Sequence, residues 1–216
     1  MVDTDVSEVV AGAGESHRRL SGAIESLTDE QARSASLLPG WSVGHVLTHL
    51  ARNADSHARM MRAAMAGDAV PQYGPDYERT AGIEAGAARP AAALIEDVGS
   101  SAAALEAVWD EMTDAAWAGH GFNEPHEEIW PCRLMPFHRW REVELHHLDL
   151  GLGYTSADWP AGYVDRELAV SLQSLPERIT EVDRQRLLGW LVGRDGSQPA
   201  LDLEPWQARR DHYLRV

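Results

Sequence analysis

The sequence contains no lysine and only one cysteine, Cys132, among its 216 residues. A single cysteine cannot form an internal disulfide, which predicts a reducing compartment. No run of about 20 apolar residues is present that could span a bilayer. The first six residues carry two aspartates and lack the basic and apolar pattern of a secretion signal. We therefore expect a cytoplasmic protein.

Positive charge is also scarce. The 19 basic residues, all of them arginine, are outnumbered by 34 acidic residues, which gives a net charge of −15. Nucleic acids and anionic membranes bind proteins that have basic surfaces, so neither is an expected partner. An anionic small substrate would need a local cluster of arginines. The sequence leaves the oligomeric state open.

Apolar residues, which make up 44% of the chain, recur at helical spacing in four long segments. These predicted helices cover residues 6–27, 42–67, 90–116 and 136–151. Ser42 is suited to cap the second helix, Pro90 to begin the third, and Gly151 to end the fourth in a left-handed conformation. Four long helices joined by loops predict an all-α protein built on a four-helix bundle.

The remaining segments are predicted to connect or extend this bundle. Residues 67–90 read as a loop with one short helical turn around Ile83, and residues 119–136, with three prolines, read as irregular structure. Two further helices are predicted at residues 164–175 and 182–192. We expect residues 1–155 to form the bundle and residues 156–216 to form a short, mainly helical C-terminal extension.

Metal-binding residue types are concentrated in the fourth predicted helix, in the segment FHRWREVELHHLDLGLGY at residues 137–154. Glu142 and His146 are four residues apart, and Glu144 and His147 are three apart. Either spacing places a carboxylate and an imidazole on one helix face. The segment therefore contains two candidate pairs of ligands for one ion.

Helical phase separates the two pairs. At about 100° per residue, Glu142 and His146 share a face with His138 and Asp149, while the second pair points the other way. A bundle helix is expected to bury one stripe, so one pair should face the second helix, which carries His49. Facing helices would then supply His49, Glu142 and His146 to one divalent cation and leave a position open, as in catalytic sites. These donors suit zinc and also permit nickel, iron or manganese.

Spacing alone leaves an alternative, in which Glu142 and His146 form a hydrogen-bonded or ion-paired couple on a solvated helix face. Other histidines are interpreted as surface or core residues without a metal: His45, His57, His126 and His212.

Three blocks carry a resemblance in their order and spacing: LLPGWSVGHVLTHLARNAD at residues 37–55, REVELHHLDLGLGY at residues 141–154, and LLGWLVGR at residues 187–194. They resemble the mycothiol-dependent maleylpyruvate isomerase family, which belongs to the DinB-like metal-binding four-helix bundles. The resemblance implies that His49, Glu142 and His146 are the metal ligands. It also implies that Arg194, which closes the third block, lies near the active site.

The same resemblance implies an activity with two cofactors, a divalent metal, expected to be zinc, and the thiol mycothiol. The implied reaction is the cis–trans isomerisation of a small anionic electrophile such as maleylpyruvate, through reversible addition of a thiolate. Arginines would bind the substrate carboxylates, Arg194 first and Arg52 and Arg79 next. Asn53 is a candidate to bind mycothiol or orient a ligand. Cys132 is interpreted as an incidental cysteine.

The C-terminal part departs from the family pattern. The family usually places a small α/β domain before the third block, whereas here only residues 176–186 separate two predicted helices. The missing strands would alter the substrate pocket more than the metal site. This favours a second hypothesis, a mycothiol S-transferase that forms a stable conjugate with another electrophile. A third hypothesis is a structural or regulatory metal-binding protein without turnover.

Overall fold

The computed structural model describes residues 6–73, 79–123 and 128–194. The described residues divide into two compact units, which meet in sequence between residues 159 and 160. Within the described ranges, no helix combines the length and the apolar character that crossing a bilayer requires. The interpretations of His126 and His212 concern residues outside these ranges.

The first unit is a four-helix bundle with short accessory elements. In chain order it contains α1 (Val6–Ile24), α2 (Asp29–Arg33), α3 (Val43–Met65), α4 (Arg79–Ala87), α5 (Ala91–Glu111), α6 (Asp114–Trp117), β1 (His120–Asn123), β2 (Glu128–Pro131) and α7 (Met135–Asp149). Helix α1 packs against α5 and α7, and α3 packs against the same two helices, which closes the bundle. The predicted all-α bundle is confirmed.

The ends of α3 and α7 follow from local sequence. Ser42 is the N-cap of α3: its hydroxyl accepts the backbone N–H of His45, and the His45 ring accepts the backbone N–H of Ser42 at 3.1 Å. This reciprocal pattern satisfies two amide groups that a helix start leaves without partners. Helix α7 ends before Gly151, whose φ of 68° lies in the left-handed region that glycine adopts without strain.

The core lies where the four long helices meet. Its fully buried aliphatic side chains include Leu20, Ile24, Leu47, Leu50, Leu94 and Val143. Burial of each such side chain contributes about 1.5–3 kcal/mol to the free energy of unfolding. Helices α1 and α7 approach closely at Gly12, where an added Cβ would overlap the ring of Trp140.

Residues 119–136 differ from the irregular structure that was predicted. They contain an antiparallel pair of strands, β1 and β2, in which Phe122 pairs with Ile129 and Gly121 with Trp130, followed by a 3-10 helix at Cys132–Leu134. Aromatic and β-branched side chains favour strands, and Pro131 stands at the end of β2, where its missing N–H costs little. Helix α4 is also longer than the single turn expected around Ile83.

The second unit, where described, consists of α8 (Ala161–Arg178) and α9 (Glu181–Leu191). Thr180 caps α9, because its hydroxyl accepts the backbone N–H of Asp183 at 3.2 Å. Helix α8 extends three residues beyond the predicted bounds at each end, and α9 begins and ends one residue earlier than predicted. Residues 160–194 contain no strand, which fits the mainly helical extension expected from the sequence.

Candidate metal centre

His49, Glu142 and His146 converge where α3 packs against α7. His49 Nε2 lies 2.8 Å from Glu142 Oε2, and His146 Nε2 lies 3.6 Å from the same oxygen. The two imidazole rings stand 4.7 Å apart, nearly perpendicular. One ligand atom from each residue lies within 4.8 Å of the others. Ligand atoms about 2.1 Å from a tetrahedral ion would be about 3.4 Å apart, so this cluster fits one ion with small side-chain movements.

The protonation states suit coordination. Burial lowers the pKa of His49 to about 4, and the hydrogen bond with Glu142 offsets only part of this shift. Burial alone would raise the pKa of Glu142, but the hydrogen bond with His49 and the charges of neighbouring histidines bring it below its usual range. At neutral pH His49 is therefore a neutral imidazole and Glu142 a carboxylate, the forms that bind metals.

Further side chains orient the two imidazoles. Asp149 Oδ2 lies 2.8 Å from His146 Nδ1, and a carboxylate in this position fixes the ring of a metal-binding histidine. Arg79, at the start of α4, places its Nη2 3.2 Å from His49 Nδ1. A guanidinium only donates, so in this metal-free arrangement His49 Nδ1 accepts and Nε2 donates its proton to Glu142. Coordination of a metal by Nε2 would displace that proton and release Arg79 from Nδ1.

The other carboxylate–imidazole pair of α7 lies on the opposite face, against α1. Glu144 is 1% exposed and accepts hydrogen bonds from four side chains. These donors are Ser16, Arg19, Trp140 and Tyr154. The ring of His147 stacks on Tyr154 at 3.8 Å. Glu144 thus attaches α7 to α1, and α7 buries two faces where the sequence predicted one stripe.

The family model described as Mycothiol maleylpyruvate isomerase N-terminal domain matches residues 13–151, well over half of the chain. The chain belongs to this family. The matched range contains all of the first sequence block and most of the second, so the predicted family is confirmed. The third block, with Arg194, lies outside it.

Solved structures agree with membership of the mycothiol maleylpyruvate isomerase family. The crystal structure of the mycothiol-dependent maleylpyruvate isomerase is 27% identical, with a TM-score of 0.72 over 78% of this chain and 70% of that one. A histidine-to-alanine mutant of the same enzyme gives the same values. YfiT from Bacillus subtilis, "a probable metal-dependent hydrolase with an unusual four-helix bundle topology", is 19% identical, with a TM-score of 0.55 over 70% and 87%. No curated protein sequence matches the chain.

The structure separates Arg52, Asn53 and Arg79, the three bundle residues predicted to bind the substrate or mycothiol in this family member. Arg79 contacts His49, as described. Arg52 instead forms ion pairs with Asp55 at 3.1 Å and with Asp97 at 2.5 Å. Asn53 is buried, and its amide oxygen accepts a hydrogen bond from Nη1 of Arg139 at 2.9 Å. Among these three residues, Arg79 therefore contacts the candidate metal cluster.

Arg194, the predicted catalytic arginine, follows α9 in the second unit. Its side chain is exposed, and Nη1 donates to the backbone oxygen of Val192 at 3.4 Å. Its role near the active site stays a prediction. In the bundle, Cys132 is fully buried, and burial raises the pKa of its thiol to about 11. The thiol is therefore protonated at neutral pH and unsuited to act as a nucleophile.

One buried arginine escaped the sequence analysis. Arg139 is fully buried, its Nε donates to the ring of His17, and its Nη1 donates to the oxygens of Leu50 and Asn53, each at 2.9 Å. His17 in turn lies 2.6 Å from Glu106. The only sequence signal was a histidine on the apolar face of α1, because these partners come from three other helices, α1, α3 and α5.

Proposed function

We propose that this protein is a metal- and mycothiol-dependent isomerase of the maleylpyruvate isomerase type. The observation that carries the proposal is the convergence of His49, Glu142 and His146 inside a bundle of this family. The resemblance of the sequence selects the same three residues as metal ligands. The substrate would be a small anionic electrophile with a cis double bond, such as maleylpyruvate.

The donor set supports a divalent metal, and zinc is the first choice for two imidazoles and one carboxylate. Bound there, the metal would lower the pKa of a thiol and polarise a substrate oxygen. Mycothiol would supply the thiolate that adds to the substrate's double bond and leaves again, which permits rotation about that bond.

The residues of the chain would hold and orient these groups. His49, Glu142 and His146 would provide three ligands, and Asp149 would keep the His146 ring in place. Arg79, whose guanidinium already lies at the edge of the cluster, is suited to bind a substrate carboxylate. The requirement for an external thiol is supported by the burial of Cys132. A thiol cofactor stays reduced in the cytoplasm, where we place the reaction.

The test combines metal analysis with an assay of maleylpyruvate disappearance. The purified, zinc-reconstituted protein is expected to contain one metal per chain and to isomerise maleylpyruvate only when mycothiol is present. His49→Ala should lose both the metal and the activity. His45→Ala is the matched control, because His45 lies one turn earlier in α3 and outside the cluster, and it should keep both.

Either of two results would overturn the proposal. One is isomerisation that persists without mycothiol, and the other is a reconstituted protein that holds no metal. Unfolding of His49→Ala in a protein that never shows thiol-dependent activity would instead favour a metal-binding structural protein.

A mycothiol S-transferase is the second candidate. It is favoured by the C-terminal unit, where residues 160–194 form helices and contain no strand, unlike the α/β domain that is usual in the family. The two activities differ in the fate of the thiol. A transferase consumes one mycothiol per product and leaves a conjugate that mass spectrometry detects, whereas an isomerase returns the thiol unchanged.

A further inference from the structure

A second polar cluster lies beside the candidate metal centre, and neither the fold nor the proposed metal set uses it. It joins α3, β2 and α7 through His57, Trp130 and His138. The rings of His57 and Trp130 meet edge to face at 6.0 Å, and those of Trp130 and His138 meet in the same way at 4.8 Å. Four residues separate His138 from Glu142, which places both on one face of α7.

Several buried polar atoms of this cluster lack hydrogen-bond partners among the described residues. His57 is fully buried, and within the described part of the chain neither of its ring nitrogens has a partner. The same is true of the indole nitrogen of Trp130 and of Nη2 of Arg139. Leaving a buried polar group without a partner costs about 1–3 kcal/mol, so such groups need an explanation.

Arg139 gives the cluster its charge. Arg139 donates to Asn53, which lies one helical turn before His57 in α3. Burial first, and then the positive charge of Arg139, lower the pKa of His57 to about 3. Its hydrogen-bonded partners are neutral: a histidine ring, a backbone carbonyl and an amide oxygen. Burial lowers the pKa of Arg139 to about 10, with partial compensation from the carboxylates of Glu142, Asp55 and Glu106. The guanidinium is therefore charged at neutral pH.

The chemistry of these atoms selects an acceptor. The indole nitrogen and the guanidinium only donate, and a neutral imidazole donates from one nitrogen. A carboxylate only accepts and carries the charge that Arg139 lacks in its hydrogen-bonded partners. A sugar hydroxyl would donate to the accepting nitrogen of His57, but it fits less well because it leaves the charge of Arg139 without an anionic partner. Trp130 and His138 are only partly buried, so this is the side of the cluster that solvent reaches.

We infer that His57, Trp130 and Arg139 form a subsite for a carboxylate of the substrate, with His138 at its entrance next to the metal centre. The inference rests on the proposed function for the identity of the ligand as a substrate. The donors of this subsite differ from the arginines that the sequence suggested as carboxylate ligands, because they lie in the bundle interior.

Binding of maleate, a simple cis-dicarboxylate, tests this subsite. Isothermal titration of the zinc-reconstituted full-length protein at neutral pH should show binding of maleate and none of maleamide, which has the same shape without the charge. Trp130→Phe keeps the ring and removes only the N–H donor, and it should raise the Kd for maleate roughly tenfold or more. His57→Phe should have a similar effect. Zinc content should be unchanged in both variants.

Trp109→Phe is the matched control, because Trp109 is also buried with an indole nitrogen that lacks a partner among the described residues, but it stacks on His17 instead. It should bind maleate like the wild type. The subsite is refuted if Trp130→Phe and His57→Phe bind maleate as tightly as the wild type, if the control weakens binding equally, or if the wild type does not bind maleate.

The binding assay does not depend on turnover. If the tenfold effect is present but no thiol-dependent isomerisation occurs, the proposed function fails and the carboxylate subsite stands. If isomerisation occurs and the variants bind maleate normally, the subsite fails and the proposed function stands.

Discussion

The same substitution on the two faces of α7 should have opposite consequences. Glu142→Gln removes the negative charge of the candidate metal ligand but keeps an oxygen that accepts from His49. Without metal, we expect the free energy of unfolding to change by less than about 1 kcal/mol. Metal affinity should fall at least about 100-fold, since even residues that only orient ligands contribute about 10–100-fold.

Glu144→Gln should do the reverse. Glu144 accepts from four donors, and its charge partner Arg19 lies at 2.6 Å and is 34% exposed. Breaking a fully buried ion pair costs about 3–5 kcal/mol, and partial access of Arg19 to water reduces this cost. The three other hydrogen bonds also lose their charge assistance. We therefore expect a loss of about 2–4 kcal/mol in the free energy of unfolding and an unchanged metal content.

The assay for this pair is urea denaturation in EDTA, together with metal analysis of the reconstituted proteins. EDTA is needed because a bound metal would itself stabilise the folded state. The assignment of roles would be refuted if Glu144→Gln lost the metal while remaining stable, or if Glu142→Gln retained it.

Three further outcomes are expected. Gly12→Ala should lower the free energy of unfolding by about 1–3 kcal/mol, because the added methyl group overlaps Trp140. Gly22→Ala, at an open and exposed position of the same helix, should raise it by about 0.5–1 kcal/mol. Thermal unfolding measures both effects. Gly151→Ala, at a φ of 68°, should lower it by about 1 kcal/mol in urea denaturation. The pKa of His57 is lowered by burial from 6.5 to about 3, so the unfolded chain binds more protons than the folded one between these pH values. In the EDTA-treated protein, the contribution of neutral His57 to the free energy of unfolding should therefore be fully present above about pH 6.5 and be lost on acidification. His57→Phe should make the free energy of unfolding depend less steeply on pH in this range. Equal slopes for the variant and the wild type would contradict the reasoning.

The long helices could be predicted because their apolar residues repeat at helical spacing and their ends carry clear signals, such as Ser42. Helical phase also separated Glu142 from Glu144 correctly. It could not show what covers the second face of α7, because α1 lies more than a hundred residues away in sequence. The β1–β2 pair was missed, because the prolines of that segment outweighed its short strand signals.

The polar interior was the least predictable part. The contact between Arg79 and His49 depends on how α4 returns to α3, and no spacing in the sequence encodes it. Arg139 was equally hidden, since its partners are contributed by separate helices. Such networks depend on tertiary packing, and local propensity carries no information about them.

The division of α7 into two faces has a consequence for how this bundle can be altered. The network around Glu144 secures the helix to α1 independently of the residues that face α3. The candidate ligands on the α3 side can therefore be exchanged while the Glu144 network continues to hold the helix to α1. An engineer could replace the ligand set there to recruit a different metal or to create a different reaction, and divergence among natural relatives could follow the same route.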